Sequence, residues 1–200
     1  MQKYNWGVFL FRAQPIHNSH LAIIKKALNE NENVLLVIGS SDKRNEKRNP
    51  LDIHYRLHLV HKVLIDELSD YDYERIKIAT LRDLSTEDAL EDDVAWGHYL
   101  YYNIVNQIGN RRFKLYYSDS PEIMIRWFDN EVKNYIDIAF IDRSTLVNGL
   151  SATKIRELIK ENTYESLSQL KGMLPRAVSN EIGYIYKCLR DAEDVSAGAE

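Results

Sequence analysis

The sequence predicts an α/β fold, a doubly wound parallel sheet of about five strands with helices on both faces. Two observations carry that prediction. Five short, nearly continuous apolar runs recur along the chain, and the stretches between them have apolar residues at helical spacing. Continuous runs imply strands covered on both faces, whereas the half-solvated strands of an antiparallel sheet alternate. At 200 residues and 44% hydrophobic, the chain is long enough to bury one substantial core. A single domain is therefore expected over residues 1–190, with a helical C-terminal part from about 151, followed by a disordered tail over 191–200.

In chain order, the strands are expected at "WGVFLF" (6–11), "NVLLVIG" (33–39), "RIKIATL" (75–81), "RFKLYYS" (112–118) and "IDIAFID" (136–142). The first helix is expected over 20–29, with the stripe Leu21, Ile24, Ala27 and Leu28; the second over 52–68, with Ile53, Leu57, Val60 and Leu64. Further helices are expected over 89–108, 122–132, 153–160 and 176–190, while "DAEDVSAGAE" has no periodic apolar face. In such a sheet, ligands bind at the loops that follow the carboxyl ends of the strands.

Composition narrows the function classes. A net charge of -4 and a pI near 5.9 argue against coating nucleic acid by bulk electrostatics, so any phosphate site must be local. The lone cysteine, Cys188, cannot form an intramolecular disulfide, and the first residues lack the apolar stretch of a signal peptide or membrane span. The chain is expected to be soluble and cytoplasmic, with no nucleic-acid or membrane partner; a homo-oligomer is compatible with the sequence.

The first strand runs into "FRAQPIHNSH", 11–20, which lacks both glycine-rich phosphate cradles, GxGxxG and GxxxxGK[ST]. Another device is needed there. Pro15 stops the strand, Asn18 or Ser19 can cap the helix, and His17 and His20 then flank its first turn, where N–H groups and the helix dipole favour an anion. In "GLSATKIREL", 149–158, Ser151 suits an N-cap, Thr153 offers a hydroxyl, and Lys154 and Arg156 bring two cations to a second helix start.

These residues resemble a known family. "FRAQPIHNSH" is similar to the GRFQPxHxGH stretch, and "LSATKIR" to the ISxTxIR stretch, of the nucleotidylyltransferase superfamily with its (H/T)xGH signature. "IGSSDKRNEKRNPL" resembles the GS...KNPF segment of archaeal-type nicotinamide mononucleotide adenylyltransferases. The resemblance implies a Rossmann-like fold of nucleotidylyltransferase type, and transfer of a nucleotidyl group from ATP with loss of pyrophosphate and no covalent intermediate. It also implies Mg²⁺ bridging the triphosphate oxygens. On that pattern Arg12, His17 and His20 contact the triphosphate, with His20 aimed at the α-phosphate. Arg48 is the loop cation; Ser151, Thr153 and Arg156 hold the β- and γ-phosphates.

Three positions depart from the pattern. Phe11 and Ser19 stand where the family has glycine, and Ala13 where it has an aromatic. Phe11 bears most on the nucleotide pose, because glycine there lets backbone and ligand approach closely.

Two other segments matter. "DKRNEKRNP", 42–50, is expected to be a mobile lid carrying Arg48 or Lys47. "LRDLSTEDALEDDVAWGHY" holds Asp83 and Trp96, which resemble the family's acceptor-binding positions, although Arg82 replaces a proline; an indole face suits a flat, electron-poor ring. His54, His58 and His61 are expected to form a polar helix flank and not a metal site. The acceptor implied is nicotinamide mononucleotide. Phosphopantetheine, flavin mononucleotide or a polyol phosphate remain open as acceptors, as does a non-catalytic nucleotide sensor.

Overall fold

The computed structural model describes residues 4–84, 93–118, 126–142, 145–146 and 150–197. The chain groups into two compact units, each built from several segments: Met1–Phe11, Ile23–Gly39 and Glu74–Asp142 in the first, Arg12–Ala22, Ser40–Tyr73 and Arg143–Glu200 in the second. No single cut along the sequence separates them.

The first unit holds the sheet. Strands β1 (Tyr4–Phe11), β2 (Asn31–Ile38), β3 (Ile76–Thr80), β4 (Phe113–Tyr117) and β5 (Ile136–Phe140) are all parallel, in the order β3-β2-β1-β4-β5. All five expected strands form, with ends shifted by a residue or two. The order reverses between β1 and β4, the place where doubly wound sheets open a crevice beyond their carboxyl ends. On one face, Val8, Leu35, Val37, Phe113, Leu115 and Tyr117 pack with Leu100, Tyr101 and Ile104 of α4 (Asp93–Ile108). The alternate residues Phe9, Leu36, Ile38 and Tyr116 are equally buried, so both faces of the central strands are covered. The outer strands β3 and β5 are not buried continuously, contrary to the sequence expectation. As edges of the sheet they carry polar residues such as Lys77 and Asp137.

Gly7 on β1 has a steric reason. A β-carbon there would lie 2.5 Å from Asn31 Nδ2, which donates to the Ala27 carbonyl and to the Tyr116 hydroxyl.

Helix α1 (Asn18–Glu30) begins in the second unit and continues in the first. Its expected stripe is buried, with Leu21, Ile24, Ala27 and Leu28 between 0% and 6% exposed. The second unit also contains α2 (Ile53–Glu67), α3 (Asp70–Glu74), α6 (Ala152–Glu161), α7 (Tyr164–Gln169), α8 (Arg176–Ser179) and α9 (Ile182–Ala197). The stripe of α2 is rotated from the expected one. Arg56, Leu59, Val60, Val63 and Leu64 are buried while Ile53 and Leu57 are not, because α2 turns the charged Arg56 inward.

Three further expectations are corrected. The helix expected over 176–190 is two helices, because the Glu181 N–H bonds the Val178 carbonyl in a tight turn and breaks the ladder. The tail expected over 191–200 is helical as far as Ala197, since Ile185, Leu189 and Ala192 form a buried stripe at i, i+4 and i+7 and Lys160 pairs with Glu193. Of the helix expected from Glu122 to Val132, Arg126 and Trp127 are helical, but it breaks at Phe128 and Asp129, and α5 (Asn130–Lys133) follows separately, with Asp129 capping it by accepting from the Val132 N–H. Residues 119–125, where that expectation begins, lie outside the described residues, as do 89–92 of the expected 89–108 helix.

Candidate active site

The site is best built from the start of α1. The His17 carbonyl accepts the first intrahelical bond, from the Leu21 N–H at 3.1 Å, so His17 occupies the cap position and His20 the first turn. Neither Asn18 nor Ser19 is the cap. Asn18 is turned elsewhere, its backbone N–H to the Met173 carbonyl and its side-chain amide to the Gly172 carbonyl at 2.7 Å. The two imidazoles stack, with centroids 3.6 Å apart; His17 is buried and His20 half-buried. Two ring systems capable of donating are thus packed together at the positive end of a 13-residue helix.

In the same unit stands a guanidinium held by its own framework. Ser151 caps α6 as expected, accepting from the Lys154 N–H, and Arg156 projects from the second turn. Arg156 Nη1 donates to the Gln14 carbonyl at 2.9 Å and Nη2 to Thr153 Oγ1 at 3.3 Å. Burial, and then the like charge of Arg12, hold its pKa below the ordinary arginine value. Arg156 stays protonated at neutral pH, so the unfavourable burial and repulsion are relieved when an anion arrives. Arg12, Thr153 and Lys154 are exposed around this group.

The basic segment after β2 ends in a tight turn. Glu46 and Asn49 pair across it, with Asn49 N–H to Glu46 carbonyl at 2.9 Å, which leaves Lys47 and Arg48 exposed at its tip. Two buried residues in this unit were not singled out by the sequence reading. Gln14 is 2% exposed, and its side chain both donates to the Leu51 carbonyl (2.9 Å) and accepts from the Leu51 N–H (3.0 Å). Arg56 is fully buried. Its position among the apolar residues of "HYRLHLV", three and four residues before Leu59 and Val60, was the signal that could have found it.

Asp83 and Trp96 lie in the first unit, apart in sequence and in unit from the residues above. Trp96 is half-buried on α4, tilted against Tyr99 at 5.7 Å and edge-on to Trp127 at 6.0 Å, while Trp127 is edge-on to Tyr117. Trp127 is a second indole that the sequence reading did not single out. Phe11 stacks on Phe9 with centroids 4.6 Å apart and is 7% exposed, so its ring is accommodated within the packing of β1.

His54, His58 and His61 are exposed on α2, and His61 Nδ1 lies 3.1 Å from the Tyr73 hydroxyl. Among the described residues no group of three or more His, Cys, Asp or Glu side chains could hold a metal ion. The candidate groups are cations, imidazoles and hydroxyls, a set that suits anionic oxygens. No helix of the described residues is long and apolar enough to cross a membrane.

Residues 8–158 match the family described as cytidylyltransferase-like. The chain belongs to the cytidylyltransferase-like family. Among its relatives, a nicotinamide/nicotinic acid mononucleotide adenylyltransferase of Acinetobacter baylyi is 24% identical over 194 residues, covering 95% of this chain and 94% of that protein. A nicotinamide-nucleotide adenylyltransferase of Picrophilus torridus is 34% identical over 67 residues, 34% of this chain and 39% of that one. In fold, the chain is similar to a bifunctional NMN adenylyltransferase/ADP ribose pyrophosphatase of Francisella tularensis, solved with AMP and a manganese ion. The TM-score is 0.70 at 20% identity, over 93% of this chain and 52% of that one. The cytidylyltransferase-like chain thus spans about half of the Francisella protein, and at that identity the likeness is one of fold.

Proposed function

We propose that the chain transfers the adenylyl group of ATP to nicotinamide mononucleotide, giving NAD and pyrophosphate. An oxygen of the acceptor phosphate attacks the α-phosphorus in line, the bond to the bridging oxygen breaks, and pyrophosphate leaves with the electron pair. Such a displacement needs positioning and charge neutralisation more than covalent help. The observation that carries the reading is the Arg156 guanidinium, anchored on Gln14, beside Arg12 and in one unit with the stacked His17–His20 pair. His17 and His20 donate to the α-phosphate oxygens as charge builds there. Arg12, Arg156, Ser151, Thr153 and Lys154 hold the β- and γ-phosphates, and Arg48 reaches them from its turn. Mg²⁺ enters with ATP, as part of the substrate, bound by the triphosphate oxygens. Asp83 and Trp96 receive the nicotinamide end of the acceptor. The setting is the cytoplasm.

The deciding experiment is pyrophosphate release from ATP against nicotinamide mononucleotide, nicotinic acid mononucleotide, phosphopantetheine, flavin mononucleotide and a polyol phosphate. Release with nicotinamide mononucleotide alone, or with its acid as well, is the expected result. Release with one of the other acceptors, or none with any, sinks it.

Two variants separate the ends of the site. Arg156→Ala is expected to weaken ATP binding by about 10- to 100-fold, the worth of one or two charge-assisted hydrogen bonds, and AMP binding by no more than about threefold. Titration of each nucleotide checks it; equal losses for both would confine Arg156 to anchoring Gln14. Trp96→Ala is expected to cost about 1 to 3 kcal/mol in nicotinamide mononucleotide affinity while leaving ATP affinity within about twofold, by analogy with base-on-aromatic stacking. Fluorescence titration and thermal midpoints together check this. Unchanged acceptor affinity removes Trp96 from the site, and a fall in both affinities with the midpoint makes it a core residue only.

A further inference from the structure

Arg56 has no assigned role in the reaction, yet it is the largest fully buried side chain among the described residues. Nη1 donates to the Arg12 carbonyl and Nη2 to the Ser40 carbonyl, both at 2.9 Å. Burying a guanidinium carries a desolvation cost, and an apolar side chain of similar shape often stabilises a fold as well or better. What the apolar side chain cannot do is fix two carbonyls at one spacing with a planar fork.

The two carbonyls are at sensitive places. Arg12 is followed by Ala13 at φ 53°, and Ser40 itself has φ 50°; both are non-glycine residues in the left-handed region. Such conformations persist only where the surroundings over-determine them. The Ser40 carbonyl also accepts from the Lys43 N–H at 3.2 Å, so the turn into the basic segment starts from the atom that Arg56 holds. At the other end of that segment, Gln14 binds Leu51 by two hydrogen bonds. The segment 40–51 is therefore tied at both ends to residues 12–14. Arg56 makes one tie and Gln14 the other.

We propose that Arg56 is a positioning residue for the triphosphate, placing the Arg12 guanidinium and the root of the Arg48 turn through the backbone carbonyls of Arg12 and Ser40. The proposal rests on the adenylyl-transfer reading for the identity of the ligand. Displacements of about 1 Å in a positioning group can cost on the order of 10²-fold, so an indirect effect of this kind is measurable. It should fall on ATP and leave the acceptor alone.

The test uses the full chain with Arg56→Met and Arg56→Lys, and reads ATP affinity by calorimetric titration without acceptor, KM for each substrate, kcat and the thermal midpoint. Arg56→Met is expected to raise the ATP Kd and KM by about 10-fold or more, with the nicotinamide mononucleotide KM within about threefold. Lysine can reach one carbonyl and not both, so Arg56→Lys is expected to lose about fivefold in ATP affinity. In an Arg12→Ala background the share of the Arg56 effect that acts through Arg12 should vanish, so the two losses should be less than additive. A lowered midpoint with ATP affinity within about twofold of the parent overturns the proposal, as do fully additive losses with Arg12→Ala. If Arg56→Met does not fold, Arg56→Lys decides alone by the same twofold criterion. If the parent releases no pyrophosphate with any acceptor, the adenylyl-transfer reading fails, while the ATP titrations still decide the role of Arg56.

Discussion

His20→Ala is expected to lower kcat/KM by about 10²-fold or more, with the protein still folded. The reason lies in when the interaction is made. A donor aimed at an α-phosphate oxygen bonds most strongly as that oxygen gains charge in the transition state, so its removal lowers kcat more than it raises the KM for ATP. The stability side is small by comparison. Losing the stack on His17 costs about 0.5 to 1.5 kcal/mol, and alanine in a first turn returns about 0.5 kcal/mol in helix propensity. A 10²-fold loss in rate corresponds to about 2.7 kcal/mol, so the catalytic effect stands clear of the structural one. Steady-state kinetics with thermal midpoints check it. Turnover within about threefold of the parent would mean that His20 has no part in the chemistry.

Gly97→Ala is expected to be the most destabilising conservative change in α4. A β-carbon at Gly97 would lie 1.6 Å from the Trp127 carbonyl oxygen and 2.5 Å from its carbon. Both are backbone atoms, so the contact cannot be relieved by a side-chain rotation. Helix propensity favours alanine over glycine by about 1 kcal/mol, but relieving the overlap demands a shift of one backbone against another, and overpacking of this kind costs about 1 to 3 kcal/mol or more. The sign is set by the clash. We expect a net loss of about 3 kcal/mol and a midpoint lowered by roughly 6 to 12 °C. Because Trp96 precedes Gly97 and stands edge-on to Trp127, the acceptor KM should rise while ATP binding holds. A midpoint within about 2 °C of the parent would show that helix and loop adjust freely and that Gly97 is not needed for the close approach.

The sheet and the capped helix that carries Arg156 were legible in the sequence for one physical reason, that the relevant signals are local. Five apolar runs mark five strands, and Ser151 before "ATKIR" marks a capped helix, because hydrophobic period and capping are encoded within a few neighbouring residues. The parts that were missed depend on partners far along the chain. Gln14 reads as an ordinary polar residue until Leu51 is opposite it, and Arg56 as a solvated helix charge until the carbonyls of Arg12 and Ser40 are found at its ends. Asn18 and Ser19 both suit a cap by residue type, yet the Gly172 and Met173 carbonyls accept from the Asn18 donors. Trp127 gives no local sign, and nothing in the residues neighbouring Gly97 marks the close approach of the Trp127 backbone. Local rules place elements, and long-range contacts decide which side chains face the ligand.

The contacts that assemble the proposed phosphate-binding group span most of the chain. Arg156 reaches the Gln14 carbonyl across 142 positions, and Asn18 reaches Gly172 across 154. During synthesis the chain emerges from its amino end, so every strand of the sheet is made before the residues that close this group. His17 and His20 are made well before Arg156 and the other residues that complete the group. The strands can therefore be in place before the proposed triphosphate group is complete. Long closures of this kind slow folding, since the entropy of bringing the ends together is lost before the contacts return it. Completion of the proposed phosphate group is in that sense a late step, reached only when the residues from Ser151 to Met173 have come back to the first loop.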